Sequence, residues 1–72
     1  MVTVFSKPNC PQCAMTKKFL KAQGTDFNEI DVTQNQNALQ RLISEGKRSL
    51  PVVETDDAFW MGFRPDSLRT LV

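Results

Sequence analysis

Residues 2–13 read VTVFSKPNCPQC, a strand-like run followed by two cysteines at the expected start of a helix. Val2 to Ser6 reads as apolar on both faces, which is typical of a central strand covered by helices on both sides. Pro11 suits the first position of a helix, and Gly24 suits the position just after its end. A Cys-x-x-Cys pair that follows a strand and opens a helix indicates dithiol–disulfide redox chemistry.

The rest of the chain alternates helical and strand patterns joined by short connections. The first helix is followed by a strand at 27–31, a helix from about 35 to 45, strands at 50–54 and 58–61, and a short helix from 65. The strand at 27–31 carries mixed polarity on one face, which predicts an edge position. Polar residues at 55–57 predict a hairpin turn. The apolar stripes expected to pack against the sheet are Met15, Phe19 and Leu20, then Leu39, Leu42 and Ile43, and finally Leu68, Leu71 and Val72.

This element order, β-α-β-α-β-β-α, restricts the topology. The first two strands bracket a helix, so they should run parallel with a right-handed crossover. The last two strands form a hairpin and must be antiparallel. A four-stranded mixed sheet flanked by three helices then buries every apolar stripe. The sequence therefore predicts an α/β protein with a minimal thioredoxin fold, as a single domain over residues 1–72.

Composition excludes several functional classes. The 72 residues carry a formal net charge of +1, which is too weak a field to hold nucleic acid or an anionic membrane. The apolar runs are far shorter than a membrane span, and the strand-like start at Val2 does not fit a signal peptide. The chain has only two cysteines, unlike a secreted domain of this size, which usually carries several disulfides. We therefore expect a monomeric, cytoplasmic protein.

The two cysteines are predicted to have unequal roles. Cys10 should lie at the N-cap of the helix, where free backbone N–H groups and the helix dipole favour a thiolate. Lys7 adds a nearby positive charge. Cys13 should lie one turn further in and be more shielded. We therefore expect Cys10 to attack a substrate disulfide as the nucleophile, and Cys13 to resolve the mixed disulfide that forms.

Two other uses of this cysteine pair fit the sequence less well. A zinc site normally needs four ligands, and the chain has no histidine and no third cysteine. A structural disulfide between residues this close in sequence closes a minimal loop, which stabilises least in the chain-entropy model. Redox chemistry is therefore the better interpretation, and no metal site is expected.

Leu50-Pro51 is the second expected element of the site. A proline at the start of a strand avoids the loss of a ladder hydrogen bond. In the predicted fold this loop passes beside the cysteine pair, where a cis peptide would expose the Leu50 backbone to an extended substrate. Most X-Pro bonds are trans, but this position in the fold favours cis.

Three motifs together resemble those of the NrdH-redoxins, and they read Cys10-Pro11-Gln12-Cys13, Leu50-Pro51-Val52-Val53 and Trp60-Met61-Gly62-Phe63-Arg64-Pro65-Asp66. The resemblance covers essentially the whole chain. These proteins look like glutaredoxins in sequence and behave like thioredoxins. The resemblance implies a thioredoxin fold with Pro51 in cis and a thiol–disulfide oxidoreductase without a bound cofactor. It also implies electron transfer from NADPH, through thioredoxin reductase, to the large subunit of class Ib ribonucleotide reductase.

The chain departs from related patterns at two places. Met61 stands where NrdH-redoxins commonly have serine, which affects any hydrogen bond that the serine makes. True glutaredoxins hold glutathione with a Gly-Gly segment, a polar residue and aspartate after the fourth strand, whereas Phe63 and Pro65 occupy that region here. A glutathione-dependent glutaredoxin remains one alternative. A dimer that bridges an iron–sulfur cluster through Cys10 is the other.

Beyond the cysteines, the residues expected to contact substrates or partners are Lys7, Pro11, Gln12, Leu50, Pro51, Trp60, Gly62, Phe63 and Arg64. A strand tryptophan is more often buried than exposed. The resemblance nevertheless implies that Trp60 and Phe63 form a partly exposed aromatic patch on which the reductase docks. Arg64 is expected to pair with a neighbouring carboxylate such as Asp66 or Asp31.

Overall fold

The computed structural model describes all 72 residues. Its elements are β1 Val2–Ser6, α1 Pro11–Ala22, β2 Phe27–Asp31, α2 Gln36–Ser44, β3 Val52–Glu54, β4 Phe59–Met61 and α3 Pro65–Arg69. The strand order is β2-β1-β3-β4, so β2 lies at an edge as predicted. The β1 strand pairs parallel with β2 and antiparallel with β3, and β4 is antiparallel to β3. The predicted four-stranded mixed sheet with three helices is confirmed.

Two apolar clusters form the core, one on each face of the sheet. The cluster on the side of α1 and α3 contains Val4, Leu20, Val53, Trp60 and Leu68. The cluster on the side of α2 contains Phe5, Val32, Leu42 and Val52. Successive residues of β1 and β3 therefore enter opposite clusters, as the alternation of side chains along a strand requires. This is why both central strands read as continuous apolar runs.

The last two strands are shorter than the sequence predicts. The pattern extended β3 back to Leu50 and β4 back to Ala58, whereas each strand has three residues. Pro51 has no N–H with which to join the ladder, and the Leu50–Pro51 bond is cis, as expected. The Ala58 carbonyl accepts a hydrogen bond from the Thr55 N–H at 2.8 Å. Ala58 therefore closes the predicted hairpin turn instead of opening β4.

Some residues of the predicted apolar stripes are exposed: Met15 at 49%, Ile43 at 41% and Val72 at 84%. The buried residues of α1 are Cys13, Thr16 and Leu20. Thr16 can be buried because its hydroxyl donates to the Gln12 carbonyl at 2.8 Å. Met15 consequently lies on the outer side of the helix. Val72 is exposed because it follows the end of α3.

The far end of α1 is fixed against α3. Gly24 ends the helix as predicted, with a φ of +79° that residues with a side chain rarely adopt. The Gln23 side-chain amide donates to the Leu68 carbonyl at 2.8 Å and to the Thr25 hydroxyl at 2.9 Å. These bonds orient the helix whose other end carries the cysteines. At 12 residues α1 is the longest helix, and none of the three has the length and apolarity to cross a membrane.

Four charged side chains tie α2 to β3, and we call them the α2–β3 ion cluster: Arg41, Glu45, Lys47 and Glu54. Arg41 donates to Glu54 at 2.9 Å and to Glu45 at 3.2 Å. Lys47, whose side chain is only 14% exposed, donates to both carboxylates at 2.9 Å and lies 4.1 Å from the centre of the Phe59 ring. Hydrogen bonds from Arg41 and Lys47 hold the pKa of Glu54 below its ordinary value. The cluster therefore cross-links a helix to the sheet through charges that stay ionised.

Candidate active site

Cys10 and Cys13 lie at the start of α1, where the chain leaves the carboxyl end of β1. Their sulfurs are in disulfide contact, with the Cα atoms 5.2 Å apart. Cys10 is the N-cap residue, and its Sγ accepts a hydrogen bond from the Cys13 N–H at 3.2 Å. Cys10 is half-buried, whereas Cys13 is only 1% exposed. The helix start therefore presents one sulfur to the surroundings and shields the other.

An open pocket lies beside both cysteines, and its lining includes Lys7, Asn9, Pro11 and Lys17. Asn9 turns the chain from β1 into the N-cap with a φ of +59°, a left-handed conformation that asparagine tolerates better than most residues. Lys7 is exposed and makes no ion pair. Two lysines therefore line the pocket at the amino end of the helix, an environment that favours thiolates.

Four of the predicted contact residues lie on segments that meet next to the cysteine pair. The Gly62 N–H donates to the Pro51 carbonyl at 2.8 Å. Gly62 has a φ of +83°, and a Cβ placed there would lie 3.5 Å from Gln12 Oε1. Leu50 is half-buried and packs against the core cluster on the α2 side. These contacts join the Leu50–Pro51 loop, the turn after β4 and the first turn of α1 into one surface.

The aromatic patch expected from Trp60 and Phe63 does not form. Trp60 is 9% exposed and belongs to the core, because β4 places it opposite Val53 on the face covered by α1. Its Nε1 is buried without a hydrogen-bond partner. Phe63 is half-buried, and its ring meets the Phe19 ring edge-on with 6.0 Å between centres. The expected exposure of Trp60 is therefore wrong, and Phe63 lies against α1 instead of lining the cysteine pocket.

The expected ion pair of Arg64 is also absent. Asp66 pairs with Arg69 at 3.2 Å on α3. Asp31 accepts hydrogen bonds from the Thr33 N–H at 2.8 Å and from the Thr33 hydroxyl at 2.6 Å. Both carboxylates therefore bond to residues two or three positions away, and Arg64 stays exposed at the N-cap of α3.

The sequence reading missed a group of polar side chains beside the cysteines, which we call the Lys17 network: Lys17, Glu29 and Ser6. The Lys17 ammonium donates to Glu29 Oε2 at 2.6 Å, and the buried Ser6 hydroxyl donates to the same oxygen at 3.2 Å. The hydrogen bond from Lys17 lowers the pKa of Glu29. The spacing of Cys13 and Lys17 could have shown that they share a helix face. The partnership with Glu29 arises from packing of α1 on β2 and has no local signal.

This arrangement supports thiol–disulfide exchange. Two sulfurs can alternate between a disulfide and a dithiol, and one of them is accessible at the positive end of a helix. No group of three or more His, Cys, Asp or Glu side chains comes together where it could hold a metal ion.

Comparison with known proteins agrees with this chemistry. A family model described as glutaredoxin matches residues 2–60. The glutaredoxin-like protein NrdH of Lactococcus lactis subsp. cremoris is 44% identical over 71 residues, which cover 99% of each chain. Its Escherichia coli counterpart is 39% identical over 70 residues, covering 97% of this chain and 86% of the other. The solved structure of NrdH-redoxin from Escherichia coli has a TM-score of 0.96 at 38% identity, covering 99% of this chain and 93% of that one. The chain therefore belongs to the glutaredoxin family as an NrdH-type member, a thiol–disulfide oxidoreductase with Cys10 and Cys13 as its CxxC pair.

Proposed function

We propose that the protein carries electrons from NADPH-dependent thioredoxin reductase to a disulfide in the large subunit of class Ib ribonucleotide reductase. The Cys10 thiolate attacks the partner disulfide, which forms a mixed disulfide and releases one partner thiolate. The Cys13 thiolate then attacks Cys10 Sγ, expels the second partner thiolate and leaves a Cys10–Cys13 disulfide. Two electrons pass to the partner, and the reductase restores the dithiol. The chain would act as a cytoplasmic monomer and hold these electrons on its two sulfurs, without a bound cofactor.

The order of attack is supported by the unequal exposure of the two sulfurs. A partner disulfide must approach its attacking thiolate closely, and Cys13 is only 1% exposed whereas Cys10 is half-buried. Cys10 also caps α1, where the positive end of the helix stabilises a thiolate by about 1 kcal/mol. Cys13 has the complementary property for resolution, because it is buried and in disulfide contact with Cys10.

An apolar groove along α1, the helix that carries the cysteines, supports a protein as the reductant. The groove has a volume of about 380 Å³, and its apolar lining comprises Met15, Phe19, Ala22 and Phe63. Phe63, which lines the groove, directly follows Gly62 in the turn after β4. An apolar surface of this kind suits a protein partner, since interface cores are apolar and aromatic. The Escherichia coli relative is described as having a thioredoxin-like activity profile, which supports the same choice.

Glutathione is the second candidate reductant. The exposed ammonium of Lys7 lines the cysteine pocket without an ion pair, so it is free to bind a carboxylate of an anionic tripeptide. Against this candidate, the turn after β4 leads directly into Pro65, which opens α3 and has no N–H to donate. The backbone donors that hold glutathione in true glutaredoxins are therefore reduced.

The two reducing systems can be compared with one disulfide substrate. Reduction of insulin is followed at matched NADPH, once with thioredoxin reductase and once with glutathione and glutathione reductase. We expect rapid turnover with thioredoxin reductase and slow turnover with glutathione. Equal rates in the two systems would mean that the protein is an ordinary glutaredoxin. Turnover of class Ib ribonucleotide reductase with the purified protein then tests the electron acceptor.

A pair of methionine variants tests the groove itself. Met15→Gln places a polar group in the groove, and we expect it to raise the KM of thioredoxin reductase for this protein several-fold. Met61→Gln is the matched control, because Met61 is similarly exposed but lies outside the groove. An equal effect of both variants, or no effect of Met15→Gln, would remove the groove from the reductase interface.

A further inference from the structure

The Lys17 network has no part in the exchange steps described above, yet one of its members, Lys17, lines the cysteine pocket. Lys17 follows Cys13 by four residues on α1, so the two side chains lie one above the other on one helix face. Both line the same pocket. The Lys17 ammonium is held on its other side by Glu29 Oε2 at 2.6 Å, and that oxygen also accepts from the buried Ser6 hydroxyl. Glu29 does not line the pocket, so Lys17 is the member of the ion pair that borders the cysteines.

The exchange reaction requires Cys13 to carry a negative charge, which its buried position disfavours. When a reductase thiolate attacks Cys10 Sγ, the Cys10–Cys13 bond breaks and its electron pair leaves with the Cys13 sulfur as a thiolate. When Cys13 resolves a mixed disulfide, it must again be a thiolate. Burial disfavours this charged form, and Cys13 is only 1% exposed. The helix dipole is strongest at the N-cap, which Cys10 occupies.

We propose that Lys17, positioned by Glu29 and Ser6, stabilises the Cys13 thiolate in both steps. Lys7 is the other cation that lines this pocket, and the charge of Lys21 acts on Glu29. Glu29 stays ionised across the range in which a thiol titrates, because Lys17 lowers its pKa. The inference rests on the dithiol chemistry of the family and is independent of which reductase or acceptor the protein uses.

The test is a direct titration of the Cys13 thiol. In Cys10→Ser, Cys13 is the only thiol, and its ionisation is followed by the ultraviolet absorbance of the thiolate. The chain has no tyrosine to obscure that signal. We expect Lys17→Gln to raise the titration midpoint by about one pH unit, which is roughly a tenfold loss of thiolate at neutral pH. Lys17→Arg should restore the midpoint, because it keeps the charge.

Lys18→Gln is the matched control for loss of charge. It removes one cation from the same helix, but Lys18 is exposed and does not line the cysteine pocket. We expect it to leave the Cys13 midpoint within a few tenths of a unit of the parent. An unchanged midpoint in Lys17→Gln, or an equal shift in Lys18→Gln, would overturn the proposal.

Glu29→Gln tests the positioning part separately, because two explanations predict opposite signs. If the carboxylate only neutralises Lys17, its removal lowers the Cys13 midpoint. If it holds the ammonium at the pocket, its removal releases Lys17 to solvent and raises the midpoint, which is the result we expect. Thermal melting confirms that each variant is folded. Should Lys17→Gln fail to fold, Glu29→Gln and Lys17→Arg decide the question.

Discussion

The Lys17 network and the α2–β3 ion cluster are built from the same kinds of groups on opposite faces of one sheet. The α2–β3 ion cluster joins two cations to two carboxylates, and none of its members lines the cysteine pocket. In the Lys17 network a single ion pair ends at that pocket. The α2–β3 ion cluster holds a helix to the sheet, whereas the Lys17 network places a positively charged residue at the cysteine pocket. Ion pairing in this small fold therefore serves stability in one region and chemistry in the other.

The largest effect should come from the core that lies between these two regions. Trp60→Ala should lower the free energy of unfolding by about 3–5 kcal/mol, because it empties a large buried site. Phe59→Ala is the control on the same strand, and it should cost clearly less because Phe59 is 52% exposed. Urea unfolding measures both. A small loss of stability in Trp60→Ala would contradict the burial of Trp60.

Acid should weaken both polar regions together. Partner cations lower the pKa of Glu29, Glu45 and Glu54 below the ordinary value of 4.5. For a carboxyl whose pKa is lower in the folded state, the stabilisation is fully present above the unfolded pKa and is lost as pH falls through the folded pKa. Stability should therefore be flat from neutral pH to about pH 5.5 and decline below 4.5.

Unfolding free energies measured from pH 7 down to pH 3 give this curve. We expect the acid loss to exceed that of any single ion-pair variant, because three carboxylates lose their pairs together. A decline that begins near neutral pH would contradict the assignment, since the chain has no histidine to titrate there.

Single variants should then separate the two regions. Glu54→Gln should cost about 1–2 kcal/mol, because its carboxylate accepts from both Arg41 and Lys47 while only 21% exposed. It should leave the titration of Cys13 unchanged. Glu29→Gln should show the reverse pattern, with a smaller loss of stability and a shifted titration midpoint of the Cys13 thiol. If both variants shift the Cys13 titration midpoint equally, the two regions do not have separate roles in stability and in thiol chemistry.

The smallest effect is expected for an ion pair that belongs to neither region. Asp66 and Arg69 pair on α3 with side chains that are 97% and 66% exposed. Asp66→Asn should therefore leave the melting temperature and the activity within error of the parent protein. A measurable loss of stability would show that exposed ion pairs contribute more in this chain than solvent screening allows.

The architecture was predictable because its signals are local. The apolar run of Val2–Ser6, the proline inside the start of α1 and Gly24 at its end fix the first strand and helix. The cysteine pair follows from the same signals, since a helix that begins at Pro11 must place Cys10 at its N-cap. The mixed polarity on one face of β2 indicated its position at the edge of the sheet.

The features that could not be predicted depend on contacts between distant residues. Burial statistics favour a buried Trp60, but the face of the sheet that it enters is set by its pairing with Val53, a register that the sequence alone does not specify. Lys17 and Glu29 are 12 residues apart and meet only when α1 packs on the sheet. Arg64 lacks the expected partner because Asp31 bonds to its own neighbour Thr33. In each case tertiary packing decides between alternatives that are locally equivalent.

In the proposed exchange Cys10 attacks and Cys13 resolves, and trapping of mixed disulfides distinguishes these two roles. Purified Cys13→Ser and Cys10→Ser are each incubated with insulin, and the products are resolved without reducing agent. Cys13→Ser should accumulate a mixed disulfide between Cys10 and an insulin chain, because no resolving thiol remains. Cys10→Ser should trap almost none, because its remaining sulfur is buried. Equal trapping by the two variants, or trapping by Cys10→Ser alone, would contradict the claim.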